Sequence, residues 1–272
     1  MQPLSPKDLL IRQSPVEADQ WDPASQAEQQ SIPVTLERFQ TLERTIADNP
    51  LHADPYLELA KIYLTQERWH DARRVLDLAH KRFSDNEEVN YLREEAQLAR
   101  SLQLFTAAEV EYAQEPTQLT EDNLQRCRVE LNVLRERVCL SRLERHPEQV
   151  ELNLPLATAM ENLGKRDEAI GALKPAIEQP QLRAEASLQL GYMLERARRV
   201  PEALSAFRRA ALFRVPPPSP EIKFQALMAA ADLAQRSNMI DSARRYVAML
   251  IEISPNNVPL KNRLEELNQM SL

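Results

Sequence analysis

Residues 150–183 read VELNLPLATAMENLGKRDEAIGALKPAIEQPQLR, and residues 184–217 read AEASLQLGYMLERARRVPEALSAFRRAALFRVPP. Laid over one another, the two lines agree where side-chain bulk matters. Ala157 falls on Gly191, Ala169 on Ala203, Leu173 on Phe207 and Ala176 on Ala210, each a step of 34 residues. A period of this length marks a repeated supersecondary unit that buries its apolar face against the next copy. Apolar residues recur at helical spacing inside each line, so the unit is a pair of antiparallel helices. Small residues at Ala169 and Ala203, and again at Ala243, let the two helices approach closely, and large ones fill the space between units.

The same pattern occurs in two further places. Residues 53–86 carry Tyr56, Leu59, Ala60, Tyr63, Trp69, Ala72, Leu76 and Ala79, with Ser84 where the pattern closes on proline. Residues 224–257 carry Leu227, Ala230, Ala231, Ala234, Ala243, Val247, Leu250 and Pro255, after an insertion of six residues at Val215–Pro220. These positions resemble the tetratricopeptide repeat, which asks for a bulky residue at unit position 4, Leu-Gly or Leu-Ala at 7 and 8, a bulky residue at 11, Ala at 20, a large apolar residue at 24, Ala at 27 and Pro at 32. The resemblance implies an all-α solenoid of helix–turn–helix units.

Composition agrees with helices and removes several kinds of chemistry. The chain has 272 residues, 43% of them apolar, and three glycines. Glycine costs about 1 kcal/mol relative to alanine inside a helix, so its scarcity suits this fold. Gly164, Gly171 and Gly191 cannot supply a dinucleotide fingerprint or a P-loop. A net charge of −7 disfavours nucleic acid as the main partner. Cys127 and Cys139 fall on one predicted helix about 18 Å apart, too far for a disulfide between them, and point to a reducing, cytoplasmic compartment. No stretch approaches the roughly 18 apolar residues that span a membrane, and no secretory leader is visible. His52, His70, His80 and His146 form no metal-ligand spacing, and neither cysteine sits in a CxxC motif. No cofactor, metal or catalytic constellation is expected.

The other segments are placed around the repeats. Residues 1–33, rich in Pro, Gln, Ser and Asp, are expected to be a disordered tail whose Trp21 is a solvated residue or the anchor of a short motif. Residues 34–49 are expected to form a capping helix with the stripe Leu36, Phe39, Leu42 and Ile46, giving an N-terminal segment of 34–86. Residues 87–149 read as one unit stretched by 29 residues into a long helical hairpin, its arm about 20 Å longer than usual. The spacing predicts helices from Glu87 to about Gln114, capped by Asn86, and from a cap at Thr120 to about Arg145, with a stripe of Leu124, Cys127, Leu131, Leu134 and Val138. This hairpin either braces the neighbouring repeats or pairs with a second copy in a homodimer. The brace is favoured, because the stripe covers under three heptads. Residues 150–257 are three repeats, and residues 258–272 hold a C-terminal capping helix with Leu260, Leu264 and Leu267. Pro155 is expected in the first turn of a helix capped by Asn153, Pro175 to kink the helix over 167–178, and Ser219-Pro220-Glu221 to start a helix.

Units of this family line a concave groove with their first helices. The resemblance places Leu154, Leu188 and Met228 in that groove at position 5, and Thr158, Tyr192 and Asp232 at position 9. Glu161, Glu195 and Gln235 follow at position 12, and Asn162, Arg196 and Arg236 at position 13. This implies a non-enzymatic scaffold or adaptor binding a peptide or helix of a protein partner, with Arg196 and Arg236 meeting an acidic group. The subtype that grips acidic chaperone C-termini uses Lys-x-x-x-Asn, which occurs nowhere here; its positions hold Leu57 and Lys61. An alternative reading takes the Arg-rich stretch from Arg196 to Arg214, where residues 184–223 hold seven basic residues against four acidic ones, as a surface for RNA or a nucleotide.

Overall fold

In the computed structural model, which describes residues 36–269, every regular element is a helix. The readings made for residues 1–33, including Trp21, lie outside the described residues. Two compact units are present, Met1–Val138 and Cys139–Leu272. The division falls inside the second helix of the long hairpin.

The first unit contains α1 (Leu36–Asp48), α2 (Asp54–Thr65), α3 (Trp69–Arg82), α4 (Glu87–Gln114) and most of α5 (Gln118–Arg145). The pair α2–α3 is the repeat read at 53–86. Ala60, Ala72 and Ala79 are fully buried, and Tyr56, Leu59 and Leu76 complete the same core cluster. Leu42 of α1 joins this cluster, with Phe39 and Ile46 at its margin. The Phe39 ring lies 5.4 Å from that of Tyr63.

The hairpin begins at Asn86, whose side chain accepts from the Val89 amide at 3.0 Å. Glu87 and Glu88 follow in the first turn, where the helix dipole favours acids. The helix α5 starts three residues earlier than the sequence indicates. Thr117, not Thr120, takes the cap position. The Thr117 hydroxyl accepts from the Thr120 amide at 3.3 Å, and the Thr120 hydroxyl accepts from the Thr117 amide at 3.0 Å. This reciprocal arrangement is a capping box with threonine in place of the usual acid. Asn123 donates to Glu111 at 3.0 Å and Arg137 to Gln97 at 2.9 Å, which fixes α4 and α5 antiparallel in one register. Cys127, Leu131 and Val138 are buried on the predicted stripe, with Leu124 and Leu134 half-buried. Both cysteines are buried, and neither is in a disulfide.

The second unit opens with a 3-10 turn (Val150–Leu152) and continues through α6 (Asn153–Asn162), α7 (Arg166–Ala172), α8 (Lys174–Glu178), α9 (Arg183–Arg196), α10 (Val200–Leu212), α11 (Pro220–Arg236), α12 (Ile240–Ile253) and α13 (Val258–Gln269). Ala169, Ala203 and Ala243 are fully buried, as close helix crossings require. Gly191 shows the same demand most sharply. A Cβ added there would lie 2.4 Å from Cδ1 and Cε1 of the fully buried Phe207 ring. Pro175 divides the predicted helix into α7 and α8 at Leu173, since proline lacks the amide that the continuing helix needs. Asn153 is not a cap: it lies in the first turn of α6, and its side-chain amide donates back to the Val150 carbonyl at 2.9 Å. Pro155 does sit in that first turn. Ser219 caps α11 by accepting from the Ile222 amide at 3.2 Å, with Pro220 following.

The helix pairs close through one turn used four times. Glu67, Gly164, Arg198 and Asn238 all have positive φ, between 57° and 80°. Each occupies position 15 of its repeat. The amide after each one donates to a carbonyl five residues back: Arg68 to Tyr63 at 2.9 Å, Lys165 to Met160 at 2.9 Å, Arg199 to Leu194 at 2.9 Å and Met239 to Ala234 at 2.8 Å. This is the Schellman closure, which satisfies carbonyls left open at a helix end. Only one of the four positions carries glycine. The other three accept a left-handed conformation that costs about 1–2 kcal/mol, so the packing that follows must hold it.

Candidate functional site

The first helices of the last three repeats are α6, α9 and α11, and they carry the residues predicted to line the groove. Their geometry follows from a one-residue offset between charges. Glu161 and Glu195 occupy position 12, whereas Arg196 and Arg236 occupy position 13 of the next repeat. Arg196 donates to Glu161 at 2.8 Å, and Arg236 is paired with Glu195. A third rung comes from the last helix: Arg263 of α13 lies 2.7 Å from Asp232 and donates to Gln235 at 2.7 Å. Consecutive repeats are thus tied by a ladder in which each arginine reaches back to an acid on the first helix of the repeat before it.

The ladder does not hide its arginines. The side chains of Arg196 and Arg236 are each 64% exposed, while Glu161 and Glu195 are mostly covered. A guanidinium has five N–H donors, and these pairs occupy a minority of them. The acids therefore orient the arginines and leave donors directed to solvent.

Tyr192 lies among these charges. Its ring meets Phe207 edge-on at 5.2 Å, and 37% of the residue remains exposed. Burial first, and then the carboxylates of Glu195 and Asp232, push its phenol above the usual tyrosine range, against a smaller opposing pull from Arg196. The O–H is held protonated and able to donate at neutral pH. The apolar track is narrower than the family resemblance implies. Leu154 and Leu188 are packed into the core, and Met228 is half-buried. Thr158 is half-buried, and its hydroxyl is engaged by Gln189, which donates to it at 2.5 Å and to the Leu154 carbonyl at 3.0 Å. Asn162 is exposed, and Asp232 is half-buried. The accessible surface is thus Tyr192 with Asn162, Arg196, Asp232 and Arg236 around it.

Gln189 and Arg263 were not singled out by sequence. Gln189 lies between named groove positions. Arg263 belongs to the terminal helix, where no repeat register exists to point to it.

The arginines from Arg196 to Arg214 do not form one basic surface. Arg196 joins the ladder, Arg198 occupies a left-handed turn, and Arg199 is bound to Glu202 at 2.8 Å. Arg208 and Arg209 lie on the exposed side of α10. Among the described residues, no cluster of three or more His, Cys, Asp or Glu could hold a metal, and no helix is long and apolar enough to cross a membrane.

Residues 154–220 match the family model of the tetratricopeptide repeat. No curated protein matches the chain. Among solved structures the chain is similar to YrrB, described as a TPR protein with an unusual peptide-binding site, at 17% identity and a TM-score of 0.48, over 84% of this chain and 99% of that one. It is also similar to TTC0263, a thermophilic TPR protein of Thermus thermophilus, at 18% identity and a TM-score of 0.37, over 80% and 100%. A third likeness is to a chain of the Naa15/Naa10 complex bound to HypK-THB, at 15% identity and a TM-score of 0.44, over 84% of this chain but 36% of that one. Residues 154–220 are thus tetratricopeptide repeats by direct match to the family, and the same helix pair, small-residue contacts and turn recur at 53–86 and 224–257.

Proposed function

We propose that the chain is a non-enzymatic scaffold, and that the first-helix side of its last three repeats binds an extended peptide of a protein partner. The observation that carries this reading is the exposed row of Tyr192, Arg196 and Arg236. An aromatic side chain offers contact area at low conformational cost, and arginine offers directional bonds to carboxylates and carbonyls. Glu161 and Glu195 hold the two guanidiniums in place before a ligand arrives, which lowers the entropy lost on binding. Asp232 and Asn162 supply an acceptor and an amide at the edges. A bound segment would lie across Tyr192 with an acidic group or free carboxylate toward the arginines. A cytoplasmic location accords with two buried cysteines that form no disulfide.

The test is a peptide-display selection on the intact chain, followed by affinity measurement of the enriched peptides against a variant carrying Tyr192→Ala, Arg196→Ala and Arg236→Ala. The expected result is a loss of at least about tenfold, with helicity retained. Equal affinity for wild type and variant would refute the reading.

A further inference from the structure

A second feature lies on a different helix. Ser205, Arg208, Arg209, Leu212 and Phe213 line an open pocket of about 360 Å³ at the end of α10. The sequence places them together by helical spacing. Ser205, Arg209 and Phe213 are four apart and form one ridge, while Arg208 and Leu212 form the next. Arg208 and Arg209 are exposed, and among the described residues neither has a carboxylate partner. This separates them from Arg196, Arg199, Arg236 and Arg263, each of which is held by an acid or an amide of its own chain.

Leu212 and Phe213 give the lining an apolar part. Leu212 is 42% exposed although it is a large aliphatic residue. The guanidinium of Arg183 stacks 4.1 Å from the centre of the Phe213 ring. Arg183 is anchored by donating to the carbonyls of Ile177 at 2.9 Å and Glu178 at 3.1 Å. Positive charge also arrives from the next repeat. Arg245 is exposed on α12, and its charge and that of Arg208 both act on the Tyr246 phenol, opposing the larger upward effect of burial.

We infer that this pocket on α10 is a second binding site, for an acidic peptide segment that carries an apolar side chain beside its carboxylates. Two unpaired guanidiniums supply forked donors for carboxylates, Ser205 supplies a hydroxyl, and Leu212 with Phe213 supplies apolar contact. The alternative polyanion, a single-stranded nucleic acid, fits less well. Such ligands bind by stacking successive bases on exposed aromatic faces. Here there is one ring, and Arg183 already covers a face of it. The site lies on second-helix residues, apart from Tyr192 and the ladder, so the repeat would engage ligands through both of its helices.

The experiment uses fluorescence polarisation with the full chain. The probe is a fluorescein-labelled synthetic peptide in which glutamates flank a Phe-Leu pair; companion probes replace every glutamate by glutamine or are a short oligouridylate. The peptide is expected to bind with an affinity that falls severalfold between about 50 and 200 mM salt. Arg208→Ala with Arg209→Ala should weaken it by at least about tenfold, and Arg73→Ala with Arg74→Ala, an exposed pair of the first unit, should leave it unchanged. Both pairs are exposed, so circular dichroism should show the same helicity for all proteins. Absence of binding, equal binding of the glutamine peptide, insensitivity to the Arg208/Arg209 pair, or tighter binding of oligouridylate would each overturn the proposal.

Discussion

Phe207→Ala is expected to lower the stability of the second unit by about 3–5 kcal/mol, read by urea unfolding followed by circular dichroism. The ring is fully buried and belongs to the core cluster that includes Ala203, Ala210 and Leu227. Its removal forfeits the transfer energy of the ring and leaves a cavity that rigid helices cannot close. The partner substitution gives the sign test. Gly191→Ala gains about 1 kcal/mol of helix propensity but drives a methyl into the Phe207 ring, and overpacking costs about 1–3 kcal/mol. It should therefore be destabilising in the wild type. In the Phe207→Ala background the obstruction is gone, and the same Gly191→Ala change should become stabilising. A Gly191→Ala effect of equal sign in both backgrounds would show that Gly191 and Phe207 do not face each other.

Tyr56→Ala is the counterpart in the first unit, with an expected loss of about 3–5 kcal/mol in the same measurement. Tyr56 is 1% exposed and packs edge-on to Phe83 with centroids 6.0 Å apart. Its hydroxyl accepts from Arg82 at 3.0 Å, and the Arg82 guanidinium lies 5.8 Å from the ring centre. Tyr56→Phe keeps the ring and removes one hydrogen bond, so it should cost about 0.5–1.5 kcal/mol. An Arg82→Ala effect similar to that of Tyr56→Phe would assign the bond to the pair. A Tyr56→Ala loss no larger than that of Tyr56→Phe would mean that the ring does not fill the core of α2 and α3.

The repeats were legible because packing at close helix crossings tolerates few side chains. Ala169, Ala203 and Ala243 announce the crossings, whereas the approach of Gly191 to Phe207 emerges only in the structure. The helix ends were legible where the cap is a single side chain followed by an acid or proline, as at Asn86 and Ser219. They were misplaced where two residues share the task. Thr117 and Thr120 cap each other, and either one alone fits a helix start. Asn153 follows a 3-10 turn that no periodicity signals, and its amide is used as a donor.

The candidate surface was less legible, for reasons of register. Position numbers identify which residues face the first-helix side, but not how deeply each is buried. Leu154 and Leu188 share position 5 with Met228 and sink into the core, leaving Tyr192 as the exposed centre. The ladder joins Glu161 to Arg196 and Glu195 to Arg236 across distances of 35 and 41 residues, the second lengthened by the insertion before α11. Pairs so far apart in the chain emerge only once the repeats are stacked.

The most direct measurement is amide chemical-shift mapping of the isotope-labelled full chain as a display-selected peptide is added. Shifts concentrated at Tyr192, Arg196, Asp232 and Arg236 are the expected result. Shifts elsewhere in the chain, with those four amides unmoved at saturation, would contradict the assignment of the first-helix side as the place where a partner binds.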